Sequence, residues 1–138
     1  MVLLSIAACI PVEPAPTGPI TIELVNDTQL DVEPDFYVSA TNAQPWNLFK
    51  DENKVEDFTD RAFPELRAKE KITLTYECNE LVSFGSKTPT MVDAIAITRT
   101  ESADQVYFVV GEDVTCEETV RFTYYYQDGV FHVKGEIR

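Results

Sequence analysis

Basic side chains are scarce in this sequence: 11 Lys and Arg stand against 24 Asp and Glu, for a formal net charge of -13. So acidic a chain repels phosphate backbones and anionic bilayer surfaces, which excludes nucleic acid as a natural partner. Histidine is scarcer still. With His132 alone, any histidine triad or zinc site would have to be assembled around one imidazole. The 5 glycines form no phosphate-binding fingerprint, and Gly85-Ser86-Lys87-Thr88 lacks the upstream glycine and the spacing of a phosphate loop. No apolar run reaches the roughly 18 residues of a membrane-spanning helix. Internal repeats at periods of about 20–50 residues, the mark of solenoids and propellers, are also missing. No cofactor is expected.

What is present suits one folded domain. Hydrophobic residues make up 44% of the chain and aromatics 11%, enough apolar surface to offset chain entropy in a chain of 138 residues. Proline is concentrated at one place: Pro11, Pro14, Pro16 and Pro19 fall in a single short stretch, which should run as an extended, semi-rigid spacer.

Just before that spacer the chain reads Met1-Val2-Leu3-Leu4-Ser5-Ile6-Ala7-Ala8-Cys9, an uncharged apolar run ending in two small residues and a cysteine. This resembles the lipobox of bacterial lipoproteins, with Ile6, Ala7 and Ala8 before the modified cysteine. The resemblance implies lipid on Cys9, cleavage of residues 1–8 as a residual signal peptide, and a membrane partner through that lipid. Residues 9–19 then serve as anchor and tether, and residues 20–138 as the domain. A full signal peptide opens with positive charge and a longer apolar stretch, so either translation starts upstream or the match is accidental. The other reading is a β-strand over Val2 to Ile10 with Cys9 as a small buried hydrophobe. With Cys9 assigned to lipid, Cys78 and Cys116 remain as an even pair in an oxidising compartment, and a disulfide between them is predicted; two free buried thiols are the alternative.

Period-2 alternation marks the domain as all-β. Strands are predicted at Ile20 to Asn26, Phe36 to Ala40 and Lys71 to Cys78, with Ile72, Leu74, Tyr76 and Cys78 on one face. Shorter runs at Leu81 to Phe84, Ala94 to Thr98 and Val106 to Val110 are punctuated by Gly85, Pro89 and Gly111. Ala94-Ile95-Ala96-Ile97, apolar on both faces, is expected to be central. At the C-terminus, Val120 to Gln127 and Val130 to Ile137 flank Asp128-Gly129, the dipeptide of a two-residue type I′ hairpin turn. That turn sets a register pairing Val120 with Ile137, Phe122 with Gly135, Tyr124 with Val133 and Tyr126 with Phe131 on the core face. Arg121 pairs with Glu136, and Tyr125 with His132, on the other. The expected fold is an antiparallel β-sandwich of about seven or eight strands. Immunoglobulin-like topology is one option, although Cys9, Trp46 and Tyr76-Glu77-Cys78 only imitate that family's core. One long connection, 41–69, holds at most a short turn of helix, sought in residues 55–70, where Pro64 interrupts it.

Chemistry-bearing residues are few. Asp51, Glu52, Glu56, Asp57 and Asp60 offer the oxygen ligands calcium prefers, but Lys54 and Arg61 lie among them and no glycine makes the turn of the known loop. A solvated acidic loop is the plainer reading. His132 is expected in a surface cross-strand pair, Tyr125 as the exposed member of Tyr124-Tyr125-Tyr126, and Trp46 as a further stacking surface for a sugar or protein partner. The expectation is therefore a non-catalytic, lipid-anchored, extracytoplasmic domain of the bacterial cell envelope that binds or spaces, with protein or glycan as partner. Two alternatives stand beside it: an envelope enzyme or inhibitor with its site on the 41–69 connection, and a calcium-dependent adhesion module.

Overall fold

The computed structural model describes residues 16–59, 65–91, 100–101 and 104–138. Cys9, the first part of the proline-rich stretch, Asp60 and the strand expected at Ala94 to Thr98 lie outside the described residues. Those described form eight strands: β1 (Ile20–Asn26), β2 (Val32–Ser39), β3 (Lys71–Tyr76), β4 (Ser83–Met91), β5 (Thr100–Glu101), β6 (Gln105–Val109), β7 (Thr119–Gln127) and β8 (Val130–Ile137). They make two sheets, β3-β1-β7-β8-β5 and β2-β4-β6. This is an all-β sandwich.

Alternation explains how the sheets face one another. In β1, Ile20, Ile22, Leu24 and Asn26 are buried while Thr21, Glu23 and Val25 are only half-buried, so one face of the strand is core and the other is open. The second layer contributes Phe36 from β2, Phe84 from β4 and Phe108 from β6, all set against Phe122 of β7, at ring-centroid distances of 5.7, 6.1 and 5.7 Å. Aromatic rings in edge-to-face contact thus join the layers at the centre.

The C-terminal hairpin has the predicted register throughout, from Val120 opposite Ile137 to Tyr126 opposite Phe131. Its turn residues Asp128 and Gly129 take φ of 53° and 78°, the positive values that a type I′ turn demands. Face assignment succeeds for Val120, Phe122, Tyr124, Phe131 and Val133 and fails at both ends of the hairpin, where Ile137 is 41% exposed and Tyr126 is open. Tyr126 was expected in the core and is 45% exposed, its ring resting edge-on against Phe131 at 4.8 Å.

Several other expectations are corrected. β2 begins at Val32 rather than Phe36: Pro34, lacking an N–H, sits where the register with β4 shifts between Glu33 and Asp35, a bulge in an edge strand, where proline is tolerated. β4 does not stop at Phe84 but runs through Gly85 and Pro89. A Cβ on Gly85 would come within 2.5 Å of the Val106 carbonyl oxygen and 2.9 Å of Phe49 Cζ, so glycine there permits close packing rather than breaking the strand. β3 ends at Tyr76, and Cys78 opens a 3-10 turn, Cys78–Glu80. Two pairings are parallel, β1 with β7 and β5 with β8. β1 inserts between β3 and the distant β7, and the chain between them supplies the long crossover that parallel pairing requires. Immunoglobulin domains keep their first two strands side by side in one sheet; here β1 and β2 lie in opposite sheets.

Cys78 and Cys116 form the predicted disulfide, with a Cα–Cα distance of 5.5 Å. It ties the end of edge strand β3 to the turn that enters β7, spanning β1 between them.

Candidate functional site

The enzyme-or-inhibitor alternative placed its site on the 41–69 connection, and the structure gives the described parts of it a supporting role. Its helical turn, α1 (Pro45–Leu48), lies ahead of the stretch where helix was sought, with proline at its first position, where a missing N–H costs nothing. Leu48 is fully buried where α1 meets β2 and β4 on the outer face of the three-stranded sheet. Phe49 follows it down, edge-on to Tyr37 at 5.2 Å and to Tyr107 at 6.4 Å. Further along, Val55 N–H donates to the Phe36 carbonyl at 2.8 Å, and Leu66 and Val32 exchange hydrogen bonds at 2.8 and 3.0 Å. These bridges cover the free edge of β2, which would otherwise offer unpaired backbone groups to another chain. Phe58 and Leu66 meanwhile enter the core from the side.

Charges line this covered edge. Lys54 Nζ sits 3.5 Å from Glu33 Oε1 and 3.8 Å from Asp35 Oδ1, and Lys87 Nζ lies over the Tyr37 and Phe49 rings at 5.3 and 5.6 Å. Burial pushes the Tyr37 phenol well above its ordinary value, and the neighbouring Asp35 carboxylate acts in the same direction. Trp46 stands clear of the patch, 70% exposed.

The acidic residues do not assemble. Asp51, Glu52, Glu56 and Asp57 are exposed, and among the described residues no group of three or more His, Cys, Asp and Glu side chains could hold a metal ion. His132 does face Tyr125, with the rings stacked at 5.1 Å and inclined by 18°. Its Nδ1 lies 2.9 Å from Asp104 Oδ2, while Lys134 Nζ lies 5.4 Å above the Tyr125 ring. An imidazole held by a carboxylate on one side and a phenol ring on the other is oriented, as a cross-strand pair should be. Tyr125 is half-buried rather than fully exposed, because His132 covers it. Trp46 stands on α1, which packs against β2 and β4 of the other sheet, so the structure does not join these three binding candidates into one site.

Two ends of the sandwich carry clefts. At one, a groove of about 430 Å³ runs beside the disulfide, lined by Pro16, Thr17, Glu77, Asn79 and Val110 as well as the two cysteines. Here Glu117 N–H donates to the Pro19 carbonyl at 3.1 Å, fastening the incoming chain to the turn that holds Cys116. At the other end, a smaller cleft opens between the β1–β2 turn and the exposed ring of Tyr126. The turn is braced by Asn26, which is fully buried. Its Nδ2 donates to the carbonyls of Leu30, Leu66 and Arg67 at 2.7–3.0 Å, and its Oδ1 accepts from the Thr28 N–H and hydroxyl at 3.0 and 2.7 Å. Sequence reasoning treated Asn26-Asp27 as a strand end only. The asparagine two residues before a threonine was the signal of a side-chain-closed turn.

No family model, no curated protein and no solved structure matches this chain.

Proposed function

We propose that this chain is a non-catalytic binding or spacing domain of the bacterial cell envelope, tethered to a membrane through lipid on Cys9. The observation that carries the reading is the Cys78–Cys116 bridge, since disulfides persist in oxidising compartments and are rare in the cytosol. Its position adds support. The bridge lies where the chain enters the domain, beside Pro16 and Thr17, and Pro19 is hydrogen-bonded to the same turn. Load arriving along a tether would pass directly into β1, whose two neighbours β3 and β7 are cross-linked across it.

The 41–69 connection lends less support to an enzyme or inhibitor with a mobile lid. Its described parts are built into the wall of the sandwich through Leu48, Phe58 and Leu66. The test is the intact mass of the protein from membrane fractions of its native host, before and after reduction. Lipid-modified Cys9 as the first residue, with a gain of about two protons on reduction, is the expected result. An unmodified chain retaining Met1, with no change on reduction, would overturn the reading.

A further inference from the structure

The cleft at the β1–β2 end combines four properties that together narrow what it can hold. It is small, about 260 Å³, lined by Asp27, Thr28, Gln29, Leu30, Lys69 and Tyr126. Drug-sized ligands and cofactors occupy about 300–1,000 Å³, so this cleft takes one ring. It is also rigid. Besides the five hydrogen bonds of Asn26, Asp27 N–H donates to the Tyr124 carbonyl at 2.8 Å, and Lys69, at φ 61°, donates its N–H to the Thr28 carbonyl at 3.2 Å. A turn closed from three sides fixes the backbone that carries Asp27, Gln29 and Lys69 before any ligand arrives, while those side chains themselves stay exposed.

Charge is the third property. Lys69 Nζ donates to Asp27 Oδ1 at 2.9 Å, so the two charges at the mouth of the cleft offset one another, although both side chains are more than half exposed. An anion would have to displace Asp27 and a cation Lys69, whereas a neutral ligand keeps the pair intact. The pair still offers an acceptor and donors side by side, and the Gln29 amide offers both again. Fourth, Tyr126 forms one wall. Its ring is braced edge-on against Phe131 at 4.8 Å, yet the residue remains 45% exposed in a strand whose earlier inward residues are fully buried.

A neutral ring that presents adjacent hydroxyls as both donors and acceptors, with an apolar C–H face for an aromatic wall, is a sugar. We propose that this cleft is a subsite for one pyranose ring of a neutral glycan, with Tyr126 as the stacking wall and Asp27, Lys69 and Gln29 binding its hydroxyls. The inference rests on reading the domain as a binding module, and it needs neither the lipid on Cys9 nor a particular compartment.

The test is a titration of the oxidised full chain, followed by backbone amide NMR, with glucose, galactose, mannose and N-acetylglucosamine, and with inorganic phosphate as the charged probe. At least one sugar is expected to give saturable shifts, with millimolar affinity, at the amides of residues 27–30, 69 and 126, and phosphate none there. Tyr126→Ala should weaken that binding about tenfold or more while the rest of the amide spectrum stays folded, and Trp46→Ala should leave it unchanged. Asp27→Asn, which keeps the shape but unbalances the charge pair, should weaken it as well. Absence of saturable shifts with all four sugars, shifts centred on Trp46 and Tyr107, or phosphate competing at the same amides would each overturn the proposal. Failure of the mass experiment removes the anchor and leaves this titration readable. A null titration removes the sugar site and leaves the anchor standing.

Discussion

Removing the Cys78–Cys116 bridge separates what a cross-link does to the unfolded chain from what its sulfur atoms do in the folded one. The bridge closes a loop spanning 38 positions. Loop-closure entropy for that length is about 13 cal/mol/K, or about 3.9 kcal/mol at 25 °C. A domain of this size unfolds with an entropy of roughly 250–290 cal/mol/K, so losing the cross-link should lower Tm by about 13–15 °C. Packing contributes separately: Cys78 is buried in the core and Cys116 is partly buried against it. Reduction of the native protein breaks the bond and keeps both sulfurs, whereas Cys78→Ala with Cys116→Ala loses both effects. Calorimetry on three samples, oxidised, reduced and doubly substituted, therefore reads the two contributions independently. The first step should be about 13–15 °C, and the second, for two small side chains, no more than about 6 °C. A first step below about 4 °C would refute the entropic account, and a second step larger than the first would make the bridge chiefly a core element.

Phe122→Ala removes the ring that meets Phe36, Phe84 and Phe108 between the sheets, and should cost about 3–5 kcal/mol by denaturant unfolding; a loss under about 1.5 kcal/mol would mean that the layers do not share this core. The hydrogen bond from Arg121 to Glu23, with Lys71 alongside, holds the Glu23 carboxyl below its ordinary range despite the opposing effect of burial. A lowered folded value means that the unfolded chain binds more protons in that window. The stability from Glu23 is thus complete above its unfolded value of about 4.3 and is lost as pH falls through the folded one. Glu23→Gln should consequently lower Tm at neutral pH and converge with the native protein as the pH falls below the folded value, when thermal unfolding is followed from neutral pH into acid; a gap that persists unchanged into acid would sink the assignment.

Much of this fold was legible because local rules and core placement agree. Asp128-Gly129 demands positive φ at both positions, and alternation on either side puts Val120, Phe122 and Tyr124 on one face, so turn and pattern specify one register. β1 is legible for the same reason. The cysteine pair was legible by count, since setting Cys9 aside leaves Cys78 and Cys116 as an even pair, and that argument needed no geometry.

The misses share a cause, which is that a residue's local preference is overridden by what lies across from it. Gly85 and Pro89 read as strand breakers, yet the glycine is needed where Phe49 and β6 approach the backbone, and the proline falls where β2 and β4 slip register. Tyr126 has the parity of a core residue, but parity says which way a side chain points and nothing of whether a second layer is there to meet it. That depends on how the other sheet is placed against the strand, which no local pattern in β7 encodes. The exposed Tyr126 ring stands open beside the turn that Asn26 holds shut. The residue that sequence reasoning assigned to the core is thus the wall of the proposed sugar subsite, and Tyr125, read as the exposed one, is covered by His132.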